Sequence, residues 1–190
     1  MAYLKLACVA VAMVVAFAVQ AQHHEHAATT RPTAAKSVLS TPEAMKTEHH
    51  YLHHQLAAAL AAGGKTAAAA KKVEAVLSPH FVAEEAYAMP PLSLLPVLAH
   101  KQQPTGEQIH AAIAMTDKLR AHYKQMLAEH QEIVKALQSL AKAAKEEHKP
   151  QHAEFAEALI LHAKHEEQVL YPAALVLGDY LKLKFAHAHH

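Results

Sequence analysis

Two stretches, His80-Phe-Val-Ala-Glu84-Glu85 and His162-Ala-Lys-His-Glu166-Glu167, put histidine and glutamate where the apolar rhythm around them calls for leucine. In the first, Val73, Leu77, His80, Glu84 and Tyr87 fall on one helical face; in the second, Phe155, Leu159, His162, Glu166 and Val169 do. On a helix an i,i+4 pair shares a face, about 6 Å apart along the axis. Such groups are costly to bury without partners, several kcal/mol together. A fold that hides them must supply something for them to share.

The rest of the chain reads as helices separated by short breakers. Thr41-Pro42-Glu43 predicts an N-cap followed by proline at the first helical position, opening a helix that Gly63-Gly64 stops. A second helix is expected from about Thr66 to Ala88, ending at Met89-Pro90-Pro91, then an irregular piece through Pro96 to Pro104. Thr105-Gly106-Glu107 opens a long third helix to about His148, with Ile109, Thr116, Leu119, Met126, His130, Val134 and Leu137 on one face. The fourth runs from about Gln151 to Leu170 and is expected to stop at Tyr171-Pro172. A tail from Ala173 forms at most a short apolar helix, interrupted near Gly178-Asp179. No segment has a strand signature, and four glycines in 190 residues argue against a turn-rich all-β fold. Amphipathic helices with short connections predict an all-α, antiparallel four-helix bundle over residues 41–172.

The chain also repeats itself. Glu48-His49 with Leu52 and Leu56 matches Glu129-His130 with Ile133 and Leu137. His49 precedes His80 by 31 residues, and His130 precedes His162 by 32. Each half is therefore a helix pair with one histidine on its first helix and HxxxEE on its second. A lone His–Glu pair at i,i+4 is more often a surface pair; two copies in register with two further inward histidines are not. Six groups, His49, His80, Glu84, His130, His162 and Glu166, are expected to converge in the core. Imidazole and carboxylate without thiolate suit Fe, Mn or Zn, and six donors from four helices suit two ions better than one. His53, one turn on from His49, is a rival first-helix donor. His100, His110, His122, His148, His152 and His165 are read as solvated. Glu107-x-x-His110 is the one well-placed Glu-x-x-His, whereas a ferritin-like site wants two.

Lys+Arg number 18 and Asp+Glu 17, so no basic excess offers itself to nucleic acid. Residues 1–21 have one early lysine, an apolar run from Leu6 to Val19 and a Val19-Gln20-Ala21 end, which predicts a secretory signal peptide and a secreted or periplasmic protein with no membrane span after cleavage. Cleavage removes Cys8, the only cysteine, so the fold must hold without disulfides. Residues 22–40 read as a flexible His-containing linker, and residues 173–190 as a tail ending in His187, His189 and His190. His24 would be the third residue after cleavage, a place from which Cu(II) or Ni(II) is bound.

The ordered set Glu48-His49, His80-Phe81 with Glu84-Glu85, Glu129-His130, and His162 with Glu166-Glu167 leading into Leu170-Tyr171-Pro172 resembles the hemerythrin-like, HHE cation-binding domain family. The resemblance spans roughly Thr41 to Pro172. It implies an up-down-up-down bundle around a non-haem di-iron centre with an oxo or hydroxo bridge, and roles in O2 binding, oxygen or iron sensing, NO handling, or supply and repair of iron centres. Carried over by position, His49, His80, His130 and His162 would be terminal imidazole ligands, with Glu84 and one of Glu166 or Glu167 as bridging carboxylates; Glu166 stays closer to the stripe. The oxygen carriers place a second histidine four residues after the third-helix one. Here Val134 stands there, and Met126 four residues before, which leaves one iron short of an imidazole and speaks against reversible O2 carriage. His53, Tyr123 or water are the candidates to fill the gap.

The sequence thus predicts an exported di-iron protein that binds or senses a small diatomic ligand, O2 or NO, or handles iron. No general base, nucleophile or substrate pocket can be named, so no enzyme is assigned. The alternative is a periplasmic metal buffer or chaperone holding Zn, Cu or Ni through its 19 histidines.

Overall fold

A computed structural model describes residues 38–185. Among these the chain is helical and has no strand. Helix α1 spans Glu43–Ala61. Helix α2, Gly64–Ala83, runs into a π turn, Glu84–Ala88. A 3-10 helix, Pro90–Leu94, and the short α3, Leu95–Ala99, follow, where the sequence predicted irregular chain. Helix α4 covers Gly106–Glu146. Helix α5, Pro150–His165, enters a second π turn, Glu166–Leu170, and continues as α6, Tyr171–Phe185.

Local chemistry explains most boundaries. Pro42, not Thr41, is the residue before α1, so the helix begins one residue later than its cap signal predicted. Gly63 and Gly64 have φ of 72° and 63°, the left-handed region that glycine enters without a Cβ penalty. At α4, the Thr105 hydroxyl accepts from Gln108 N and the Gln108 side chain accepts from Thr105 N, a reciprocal capping box. The α4–α5 connection is tied back to α2. The Glu147 carboxylate accepts from Lys65 N at 2.7 Å and Thr66 N at 3.0 Å, satisfying amide groups of the first α2 turn.

Helices α1, α2, α4 and α5 pack as neighbours round a ring, α1 on α2, α2 on α4, α4 on α5 and α5 on α1, while α6 packs on α4. One apolar cluster joins Leu52, Leu56, Val73, Leu77, Phe81, Ile133, Leu137, Phe155 and Leu159. A second joins Tyr87, Met89, Leu119, Met126 and Tyr171. Each buried side chain of this size stabilises by about 1.5–3 kcal/mol relative to exposure. On α4, His130 falls between Met126 of one cluster and Ile133 of the other; on the fourth helical run, His162 and Glu166 fall between Leu159 and Tyr171. The polar positions are thus sandwiched between two apolar layers.

Two expectations fail at the π turns. An α-helical count brings Val169 inward after Glu166, but Val169 is 56% exposed and Tyr171 is fully buried. The wide turn, closed by Tyr171 N–H to Glu166 C=O, adds one residue and moves the inward face on by one position. The helix also does not stop at Tyr171-Pro172. Pro172 lies at the start of α6, just past the loosened turn, and the helix runs on through Gly178 and Asp179. At the other end, Leu39, assigned to the linker, is buried with Leu94, Ile109, Leu177 and Leu181. The proposed signal peptide, His24 and the histidines at 187, 189 and 190 lie outside the described residues. Among the described residues no helix is long and apolar enough to cross a membrane.

Candidate metal centre

The repeat dictates who supplies what. Helices α1 and α4 each present one histidine, His49 and His130. Helices α2 and α5 each present a histidine near their last turn, His80 and His162, with a glutamate four residues later at the first position of the π turn. All six side chains are buried. Their inward atoms converge. Glu84 Oε1 lies 3.4 Å from His80 Nε2 and 3.9 Å from His130 Nε2, while its Oε2 lies 3.8 Å from His49 Nε2. Glu166 Oε2 lies 3.3 Å from His130 Nε2, and its Oε1 lies 2.9 Å from His162 Nε2 and 3.6 Å from His49 Nε2. Each carboxylate therefore has one oxygen toward the His80/His130 side and one toward the His49/His162 side. Two cation-sized groups of donors result: His80, Glu84, His130 and Glu166, and His49, His162 and Glu166.

An outer ring of four glutamates sets the direction of every imidazole. Nδ1 of His49 donates to Glu85 at 3.0 Å, that of His80 to Glu129 at 2.8 Å, that of His130 to Glu167 at 3.1 Å, and that of His162 to Glu48 at 3.1 Å. An ionised carboxylate only accepts, so Nδ1 carries the proton and the Nε2 lone pair faces the interior. This is the arrangement that fixes metal-binding histidines elsewhere. The outer residues are the immediate chain neighbours of the inner ones, as Glu48-His49, Glu84-Glu85, Glu129-His130 and Glu166-Glu167.

The interior is left with more acceptors than donors. His49 Nε2, Glu84 Oε2, His162 Nε2 and Glu166 Oε1 are buried without a hydrogen-bond partner. Lone pairs of imidazole and carboxylate facing one another at 2.9–3.8 Å repel unless a proton or a cation lies between them. The donor set, four imidazoles and two carboxylates, fits two divalent or trivalent ions of the Fe, Mn or Zn kind. In the metal-free protein, protons take the cation's place. Burial pulls His162 down, but the Glu166 carboxylate beside it, with Glu48, outweighs this and holds it at about 9. His49 and His80 are also raised against their burial, by Glu166 and Glu84 respectively. Burial pushes Glu166 up, and the three histidines around it pull it far below the usual carboxylate range.

Tyr171 completes the cluster. Its hydroxyl donates to Glu84 Oε1 and lies 3.3 Å from His80 Nε2 and 3.4 Å from His130 Nε2, with its ring stacked on His130 at 5.5 Å. Burial and the nearby Glu84 and Glu166 carboxylates push its phenol well above the ordinary tyrosine range. On the other side Phe81 stacks on His49 at 4.1 Å. A cavity of about 550 Å³ between α2 and α4, lined by Val76, Pro79, His80, Tyr87, Gln125 and Glu129 among others, reaches the outer side of His80.

The structure brings together the six side chains singled out by spacing. Of the open alternatives, Glu166 points inward and Glu167 outward to His130, while His53 is exposed and touches Phe81 edge-on. Tyr123 is half-buried against Tyr171, and Met126 accepts from Tyr87 OH. His152, read as solvated, is buried with an unpartnered Nδ1; it sits on the first turn of α5, and its Nε2 lies 3.4 Å from Gln151 Nε2. Of the other five, His122 is half-buried and the rest are exposed. Sequence reasoning missed Glu48, Glu85, Glu129 and Glu167 as imidazole partners, although their adjacency to the inner residues, repeated four times, was a signal. It missed Tyr171 because the π turn has no signature in the apolar rhythm.

The family model described as the hemerythrin HHE cation binding domain matches residues 40–174. Neither the curated proteins nor the solved structures returned a match.

Proposed function

Because this chain belongs to the hemerythrin HHE cation-binding domain family, we propose that its buried cluster is a non-haem di-iron centre that binds or senses O2 or NO, or handles iron. One observation carries the reading: four imidazoles have Nδ1 tied outward and Nε2 turned inward onto two buried carboxylates, each of which keeps one oxygen without a hydrogen-bond partner. His49, His80, His130 and His162 would be terminal ligands, and Glu84 and Glu166 would bridge two ions, with Mn or Zn as competitors for the same donors. When bound, iron supplies an open position for a diatomic molecule and the capacity to change oxidation state. The protein keeps bulk water from the cluster with the two apolar layers, and the cavity beside His80 and Glu129 offers small molecules an approach.

The same reading takes the helices as up-down-up-down. Its support is the short connection between α1 and α2 at Ala62-Gly63 and that between α4 and α5 at residues 147–149, of the length that joins antiparallel neighbours in helical bundles. It further takes residues 1–21 as an export signal, residues 22–40 as a linker and residues 41–172 as the metal-binding unit. An exported bundle whose only cysteine leaves with its signal has no thiolate to offer a metal, in keeping with an imidazole and carboxylate site.

Metal analysis of the tag-free chain tests the central point. About two Fe per chain are expected, with near-ultraviolet oxo-to-iron absorption, both lost in His80→Ala and His162→Ala. Loading with several Cu or Zn that survives both substitutions and disappears on trimming the termini would replace this function with metal buffering.

A further inference from the structure

The two cation positions are not alike. Counting from the bridging candidates, Glu84 is followed five residues on by Met89 and then Pro90, and Glu166 five residues on by Tyr171 and then Pro172. Both π turns deliver that fifth residue to the interior, and Met89 and Tyr171 are both fully buried. The internal repeat therefore puts a phenol at this chain position in one half and a thioether at the matching position in the other.

The phenol oxygen sits where acceptors crowd. Tyr171 has one proton and gives it to Glu84 Oε1. Its remaining lone pairs face His80 Nε2 at 3.3 Å and His130 Nε2 at 3.4 Å. Once metal ligation makes these rings neutral, their Nε2 atoms bear lone pairs too, since their Nδ1 protons are committed to Glu129 and Glu167. Three acceptors directed at one another make a poor hydrogen-bonding arrangement and a good cation site. The same two histidines with Glu84 and Glu166 form one of the two donor groups. No other phenol or hydroxyl is hydrogen-bonded to the cluster's inner atoms among the described residues.

We propose that Tyr171 is a fifth protein ligand, a phenolate to the ion held by His80, His130, Glu84 and Glu166, which leaves the His49/His162 ion with fewer protein donors. This rests on the di-iron reading above. On coordination the hydroxyl proton now given to Glu84 leaves to solvent, the oxygen–metal bond forms in its place, and no electron is transferred. The assignment also accounts for a chain with Val134 where the oxygen carriers have a second third-helix histidine: the donor on this side comes from the end of the fourth helical run instead.

The test loads the full chain with iron in air and compares it with Tyr171→Phe, reading metal content, visible phenolate-to-iron absorption and resonance-Raman ring modes of a bound phenolate. Two irons with these signals in the parent, and two irons without them in the variant, are expected. Two irons in the parent without phenolate signals would overturn this inference and leave the di-iron centre standing; no bound metal would overturn both. Should Tyr171→Phe not fold, Tyr87→Phe and Tyr123→Phe, the other tyrosines nearest the cluster, must each keep the signals, and loss of them in either would overturn the assignment to Tyr171.

Discussion

His80 Nδ1 donates at 2.8 Å to Glu129, the residue immediately before His130, so one histidine of the cluster is held by the chain neighbour of another. Burial raises Glu129 and the His80 hydrogen bond lowers it, leaving it below the ordinary carboxylate range and ionised at neutral pH. Glu129→Gln keeps the size and removes the charge. Partners of this kind typically contribute 10–100-fold to metal affinity. The variant should fold and lose iron to a competing chelator at a concentration roughly 10–100 times lower than the parent does. Equal retention would mean that the outer carboxylates do not orient the imidazoles.

Metal and folding should be linked. The donors converge only in the folded chain, so an ion that binds them stabilises by about 2.7 kcal/mol at one hundred times its dissociation constant. Chelation should lower the melting temperature of the parent and leave that of His80→Ala unmoved. A parent that melts at the same temperature with and without chelator would speak against any ion at this site.

In the metal-free protein His162 sits at about 9, above the 6.5 of an unfolded histidine. A folded value above the unfolded one means the native state holds the proton more tightly. Its contribution is then fully present below pH 6.5 and is lost as the pH rises through 9. Metal-free protein should therefore be more stable to urea at pH 6 than at pH 9.5, with this residue contributing on the order of 3 kcal/mol, and His162→Gln should flatten the difference. The loaded protein should behave oppositely, since ions need neutral imidazole. Proton competition for the metal begins near pH 9, above the 6.5 of an unperturbed imidazole. Iron affinity that does not rise between pH 6.5 and 9 would contradict this.

What the sequence made legible and what it hid follow from one geometric rule. The α-helical period of 3.6 exposes any polar residue that interrupts an apolar stripe, so His80 with Glu84 and His162 with Glu166 stood out. The choice of Glu166 over Glu167 also followed from it, because i+4 stays on the face. The rule stops at the π turns, where one extra residue per turn moved Val169 outward and Tyr171 inward. It hid Glu48, Glu85, Glu129 and Glu167 as well: each lies one position off the stripe and reads as surface, yet reaches across a helix boundary to an imidazole edge. Pro172 as a terminator misled for the same reason, since a helix already loosened by a π turn tolerates a missing N–H at the next turn.

Gly178 tests the packing that holds α6 on α4. An added Cβ there would lie 2.1 Å from Thr116 Oγ1 and 2.7 Å from Thr116 Cβ. Thr116 is buried and its hydroxyl is tied to Ile113 C=O, so it has little room to retreat. Alanine is otherwise the better helix former by about 1 kcal/mol, and at an open position Gly178→Ala would stabilise. Here the clash should win, at about 1–3 kcal/mol of overpacking, lowering the melting temperature by roughly 2–4 °C per kcal/mol of net loss. Thr116→Ala removes the obstructing hydroxyl and methyl. The double variant should recover most of the loss, a coupling that two independent sites would not display. The stake is the site itself, because Tyr171 is the first residue of α6 and its position depends on that helix lying close against α4. If Gly178→Ala proves neutral, α6 has room to move away from α4, and the close approach at Thr116 is not what fixes Tyr171 beside Glu84.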